Sequence, residues 1–273
     1  MTKSILNIEQ ISLAFGGVKA LTGVSFSVKQ GSVFSIIGPN GAGKTSMLNC
    51  ISGRYRPNSG KISFDGKDVT SLRPNDRADL GMGRTFQNLA LFGHMSVLDN
   101  IMVGRHHLLK NNWLTGPLYW ASGAQKEELA HRRKVEEVID FLEISHIRKS
   151  VAGTLSYGLR KRVELARAMA LNPKLILLDE PMAGMNLEEK EDMARYILDL
   201  NEEFGITVVM IEHDMGVVMD ISHEVMVLDF GKKLISGLPD EVMADPYVKR
   251  AYLGLEEDAD EAETSQVKLE EVS

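Results

Sequence analysis

Cysteine is almost absent: Cys50 stands alone in 273 residues, so no internal disulfide can form. The expectation is a small buried side chain in a reducing compartment, not a nucleophile. Long hydrophobic runs are missing too. A membrane-spanning helix needs roughly 18 apolar residues in a row, and stretches such as Ile206–Ile211 are only strand-sized. The opening residues MTKSILNIEQ contain no signal-peptide core, which points to the cytoplasm. Surplus positive charge is the third absence. The net charge is −7, and eight acidic residues against one lysine after Gly254 account for all of it; the preceding chain balances 30 acidic against 30 basic residues. Duplex binding needs a basic face to displace counterions, so no nucleic-acid partner is expected.

With 44% hydrophobic residues the chain can fill one large α/β core or two small ones. Short β-type segments come first, at Ile5–Phe15, Val24–Val28 and Val33–Ile37, separated by Gly16-Gly17 and by Lys29-Gln30-Gly31. A helix is expected from Lys44 to about Ser52, a turn over Pro57–Gly60 and a strand over Lys61–Phe64. Helical character follows in Val97–Val103 and Gln125–Leu142. Leu175–Asp179, LILLD, is apolar until its last residue, the pattern of a strand covered on both faces. Asn186 with Glu189 forms a capping box for the next helix, where Met193, Ile197, Leu200 and Phe204 share one face. A second buried strand, Ile206–Ile211, comes next. Alternating strands and helices imply right-handed βαβ units with ligands at the carboxyl ends of the strands. Residues 255–273 are acidic, lack a sustained apolar period and are expected to form a disordered tail. No internal repeat is evident.

The strongest chemical signal is GPNGAGKTS: Gly38, Pro39, Asn40, Gly41, Ala42, Gly43, Lys44, Thr45 and Ser46. It matches G-x-x-x-x-G-K-[ST] where a buried strand turns into a helix. Glycines let backbone N–H groups wrap phosphates and the helix N-terminus adds positive dipole. Lys44 then reaches the β- and γ-phosphates and Thr45 ligates magnesium. LILLDE supplies two adjacent acids at a strand end. Asp179 serves the metal's coordination shell, while Glu180 orients or deprotonates the attacking water. Together these elements indicate a nucleoside triphosphatase that uses Mg2+, but not which branch.

LSYGLRKR, Leu155–Arg162, resembles the signature of the ABC ATPases, usually written LSGGQ. Gln87 in RTFQN resembles that family's Q-loop, His213 in IEHDM its switch histidine, and Phe15 its adenine-stacking aromatic. Taken singly, Phe15 fits a core aromatic, Gln87 a surface amide and His213 a structural histidine; their order along residues 5–254 carries the resemblance. It implies ATP as the nucleotide, and an α/β P-loop fold with a RecA-like parallel-sheet core, an antiparallel β-subdomain and an inserted helical subdomain. The implied limits are 1–87 and 152–254 for the core and 88–151 for the helices, in one domain of residues 1–254. It also implies that Gln87 touches magnesium and water, that His213 donates to the γ-phosphate, and that Ser156, Tyr157 and Gly158 meet the nucleotide of a second subunit.

Within the family the chain resembles the G-type ATP-binding subunit of branched-chain amino-acid importers, through LSYG, the insertion from Gly104 to about Ala130, EPMAGMN, IEHDM and the ending AYLG. The resemblance implies permease subunits, a second ATPase subunit, identical or different, and, indirectly, an extracytoplasmic substrate-binding protein. The chain would lie peripherally on the cytoplasmic face of the membrane. Urea or amide importers, lipid exporters and non-transport ABC factors are the alternatives. Two positions depart from the family pattern: Leu159 replaces the usual glutamine, and Asn186 stands where many members have aspartate.

Overall fold

A computed structural model describes residues 3–85, 90–108 and 124–253. The expectations for Gln87, for residues 109–123 of the insertion and for the acidic tail lie outside the described residues. The chain begins with β1 (Ser4–Phe15), β2 (Val18–Lys29), β3 (Val33–Ile37), α1 (Lys44–Ile51), β4 (Ser59–Phe64) and β5 (Lys67–Asp68). Next come α2 (Pro74–Asp79), β6 (Met82–Arg84), α3 (Val97–Val103), α4 (Ala124–Phe141) and α5 (Tyr157–Met169). Strand β7 (Leu175–Asp179), α6 (Leu187–Phe204), β8 (Thr207–Ile211), α7 (Met215–Ile221) and β9 (Glu224–Asp229) follow. The last described elements are β10 (Lys232–Gly237), α8 (Pro239–Ala244) and α9 (Pro246–Leu253).

Two sheets result. Strands β2-β1-β4-β5 form an antiparallel sheet, and β10-β9-β3-β8-β7-β6 form a second, parallel from β9 to β6 with β10 antiparallel at its edge. Strands β3, β7 and β8 are buried at every residue, as their largely apolar sequences require. The period of two divides them between two cores. Val33, Ile37, Ile176, Leu178, Val208 and Met210 join a cluster with Val97 and Ile101 of α3, Val135 and Ile139 of α4 and Val163 of α5. Phe34, Ile36, Leu175, Leu177, Val209 and Ile211 face the other way, onto Met47 and Leu48 of α1 and the inner face of the antiparallel sheet. Asp179 continues the odd-numbered series of β7 and so shares the α1 side.

The structure departs from the sequence reading in three places. Strand β2 starts at Val18, because the Gly16-Gly17 pair makes a tight reversal with both glycines at positive φ. Gly60 is not a turn residue but lies in β4 opposite an irregularity in β1. A Cβ there would sit 2.5 Å from the carbonyl oxygens of Glu9 and Gln10. Phe204, placed on the buried stripe of α6, is 55% exposed and meets Phe141 edge-on at 5.0 Å; the last turn of the helix runs past the core.

Cys50 is buried, and burial pushes its thiol up to about 11, which keeps it protonated. Beside it lies Arg77, 1% exposed. Its guanidinium donates to the carbonyls of Cys50 at 2.7 Å, Ile51 at 2.6 Å, Leu72 at 3.2 Å and Thr70 at 3.2 Å. One fork thus satisfies carbonyls at the C-terminal end of α1, where a positive charge also complements the helix dipole. Arg77→Met removes this donor from all four oxygens, of which that of Cys50 keeps the Gly53 N–H at 3.2 Å. It is expected to lower stability by about 3 kcal/mol, read as a lower midpoint in chemical denaturation.

Candidate functional site

Strands β3, β8 and β7 are consecutive in the sheet and parallel. Adjacent strands lie about 4.8 Å apart, so their carboxyl ends deliver three chain segments to one small area. Beyond β3 is the glycine loop, beyond β8 is His213, and at the end of β7 are Asp179 and Glu180.

The loop is shaped by what its glycines avoid. Gly38, Gly41 and Gly43 have φ of 151°, 83° and 99°. A Cβ at Gly38 would lie 2.0 Å from the carbonyl oxygen of Leu228, and one at Gly43 2.6 Å from that of Ala20. At Gly41 nothing stands within 4 Å. Ala42 is buried, whereas Pro39, Asn40 and Gly41 are exposed. Helix α1 starts at Lys44 with Gly43 as its N-cap, with no side-chain cap and no acid in its first turn. Its dipole and amide groups are therefore left to a ligand.

Lys44 is 6% exposed, and its ammonium donates to the carbonyls of Gly38 at 2.7 Å and Pro39 at 2.9 Å. Burial lowers its pKa, while Glu180 and Asp179 pull it back up, so the lysine and both acids share one electrostatic site. Thr45 and Ser46 follow, half-buried in the first turn.

Asp179 is 1% exposed. Burial raises its pKa, and the guanidinium of Arg84, 3.4 Å from Oδ2, opposes the shift. Among the described residues Oδ1 has no hydrogen-bond partner. The chain turns sharply at Glu180, which adopts φ 51°, a strained value for a residue with a side chain. Its N–H donates to the Ile211 carbonyl at 3.0 Å, and Lys161 donates to its carbonyl at 3.3 Å. Through this turn the Glu180 carboxylate meets Nε2 of His213 at 2.9 Å.

Glu212, which the sequence reading passed over, holds the histidine segment. It is 4% exposed, accepting from the Met182 N–H at 2.9 Å and the His213 N–H at 3.1 Å. Burial raises its pKa and these two amides oppose it. The signal was present: an acid directly after a fully apolar strand has to find donors.

Phe15 ends β1 half-exposed, edge-on to Tyr55 at 5.1 Å. Ser156 caps α5 and accepts from the Leu159 N–H at 3.4 Å. Tyr157 is 37% exposed and lies against Gly184, while Gly158 packs on Glu189. A hydrogen bond joins Glu180 to His213, the charges of Glu180 and Asp179 act on Lys44, and Tyr157 and Gly158 meet the loop before α6 and its first turn; the contact of Ser156 is the cap at the start of α5.

Residues 21–183 match the protein family described as ABC transporter. The chain belongs to the ABC transporter ATP-binding family. Its relatives include the high-affinity branched-chain amino acid transport ATP-binding protein BraF of Pseudomonas aeruginosa, 38% identical over 254 residues, 93% of this chain and 99% of that protein. Among solved structures, the ATP-binding cassette MJ1267 in its ADP conformation superposes with a TM-score of 0.80 at 35% identity, covering 93% of this chain and 100% of that one. A dimeric post-hydrolysis structure of the cassette MJ0796 with ADP and Pi gives 0.73 at 25% identity over 86% of this chain and 99% of that one. This ABC ATPase therefore binds nucleotide and hydrolyses ATP on the α/β P-loop fold of its family.

Gly38→Ala forces a methyl into the Leu228 carbonyl at a backbone angle that side chains avoid. The variant is expected to lose at least ten-fold in ATP affinity, measured by calorimetry, while its far-ultraviolet circular dichroism stays that of the parent.

Proposed function

We propose that this ATPase powers an importer of branched-chain or other hydrophobic amino acids. It would lie on the cytoplasmic face of the membrane against separate permease subunits. The observation that carries this reading is the convergence of Lys44, Asp179, Glu180 and His213 at the ends of three adjacent strands. The cargo class rests on the likeness to BraF over nearly the whole chain. Among the described residues no helix is long and apolar enough to cross a membrane, which fits an ATPase whose permease is a different chain. Residues 1–254 are read as one ATPase domain, with 88–151 as its helical subdomain and 255–273 as an acidic tail.

Magnesium is implied by the family, and the residues present fit it. The buried Oδ1 of Asp179 lacks a partner among the described residues, and Thr45 lies in the first turn of α1. Thr45 and Asp179 would hold the ion together with Gln87, and when bound it would neutralise charge on the β- and γ-phosphates. The chain's own residues do the rest. Gly38 to Gly43 offer backbone amides, and Lys44 exchanges the Gly38 and Pro39 carbonyls for phosphate oxygens, a stronger charge-assisted pairing. Phe15, exposed at the end of its strand, stacks on the adenine. Glu180 takes the proton of the attacking water and His213 steadies the Glu180 carboxylate and donates to the γ-phosphate.

A second ATPase subunit supplies Ser156, Tyr157 and Gly158 across the nucleotide, an arrangement supported by the dimeric likeness of MJ0796. ATP favours the closed pair, and hydrolysis releases it. The permease would dock in a cavity of ≈ 530 Å³ between the sheet edge and the helical layer, lined by Ala78, Met82, Phe92, Val103, Ala168 and Leu171 among others. An extracytoplasmic binding protein acts through that permease.

Glu180→Gln is expected to bind ATP within about two-fold of the parent yet hydrolyse it 10²- to 10⁴-fold more slowly; steady-state turnover at the parent's rate removes Glu180 from the base role. For the transport assignment, affinity purification from solubilised membranes is expected to recover two hydrophobic permease chains with this subunit. Phe92→Asp, which puts a charge in the groove, is expected to release them while leaving the isolated subunit's ATPase rate intact. Recovery with ribosomes alone rejects transport.

A further inference from the structure

One buried cation has no part in the reading above. Arg84 ends β6, the edge strand beside β7, and its side chain is only 10% exposed. Nη1 donates to the Ser52 hydroxyl at 2.5 Å, and Nη2 donates to Oδ2 of Asp179 at 3.4 Å. Ser52 is the C-cap of α1, the helix whose first two residues are Lys44 and Thr45. The guanidinium thus spans the far end of the phosphate-loop helix and the carboxylate at the end of β7.

The ordinary explanation is charge neutralisation of a buried acid, and two facts limit it. A contact of 3.4 Å is longer than a charge-assisted bond of about 2.7–2.9 Å, so the fork is not placed for the tightest pairing with the acid. The pair also engages one carboxylate oxygen and leaves Oδ1 without a partner among the described residues. A carboxylate's terminal torsion is broad, so holding one oxygen fixes the plane of the group and with it the direction in which the other oxygen faces the site. A planar fork with two ends fixed sets that angle and, at once, the spacing of α1 from β7; an ammonium group presents no such fork.

We propose that Arg84 is a positioning residue that braces the two halves of the magnesium site, Thr45 on α1 and Asp179 on β7. The proposal rests on the reading of those two residues as the magnesium holders. Residues that orient ligands in this way typically change metal affinity by about 10- to 100-fold when replaced.

The test measures binding of a fluorescent ATP analogue to the purified subunit, first in EDTA and then in rising magnesium. Arg84→Met is expected to bind the analogue in EDTA within two-fold of the parent, and to need at least ten-fold more magnesium for the half-maximal gain in affinity. Arg84→Lys keeps a cation in the slot and is expected to shift the magnesium midpoint in the same direction. It also serves as the measurement if the methionine variant fails to fold. A midpoint equal to or below the parent's in the folded variants overturns the brace, as does an equal loss of affinity with and without magnesium, the result of a merely structural role. If the parent's affinity shows no magnesium response, the assignment of Thr45 and Asp179 fails, and the brace with it.

Discussion

Everything at the site depends on holding a negative charge out of water at the end of a buried strand. Asp179 cannot be hydrated where it sits, and removing the partner of a buried ion costs on the order of 3–5 kcal/mol. Burial raises its pKa, the cations Arg84 and Lys161 oppose that rise and Glu180 adds to it; Arg84 and Lys44 are in turn depressed by burial, Arg84 being supported by Asp179 and Lys44 by Glu180 and Asp179. None of these charges is satisfied by one dedicated partner. The set is balanced only as a set, and a triphosphate with its cation adds to both sides of that balance.

That dependence explains the layout of the sheet. Lys44, His213 and the two acids come from segments far apart in sequence, and only the order β3-β8-β7 makes them neighbours. Each strand is mostly apolar because both faces are covered; Ser35 inside β3 and Thr207 at the start of β8 are neutral and hydrogen-bonded, to Ser222 and to the Gly31 N–H, and charged groups come only where the strands stop. The strained turn at Glu180 follows from the same constraint. Continuing the strand would point Glu180 toward the helical layer. A left-handed step brings its carboxylate to the histidine of the adjacent strand instead.

Much of this was legible in the sequence because it is local. The glycine loop, the uninterrupted LILLD strand and the Asn186–Glu189 capping box each depend on a few contiguous residues. The box forms as expected, with hydrogen bonds of 2.9 and 3.1 Å. What sequence could not give is pairing across the sheet. Arg84 reads as a surface arginine until β6 is laid beside β7. Glu212 reads as a loop acid until Met182 is brought under it. Gly60 reads as a turn because nothing local reveals the irregular strand opposite. Arg77 lies 26 and 27 residues from the two α1 carbonyls that it binds, and no periodicity connects them.

The departure at Leu159 has a physical account that bears on how the signature helix works. Where a glutamine would present an amide, Leu159 packs against the main core, so this position anchors α5 in place of reaching outward. The exposed contacts pass to its neighbours. Tyr157 lies over Gly184, and Gly158 is close enough to Glu189 that a Cβ would stand 2.3 Å from its carboxylate. Glu189 is itself tied to Asn186 by the capping box. The start of α5 and the start of α6 are therefore in direct contact, and α6 begins seven residues after Glu180. Lys161, further along α5, also donates to the Glu180 carbonyl at 3.3 Å, so the signature helix meets the segment around Glu180 both directly and through the start of α6.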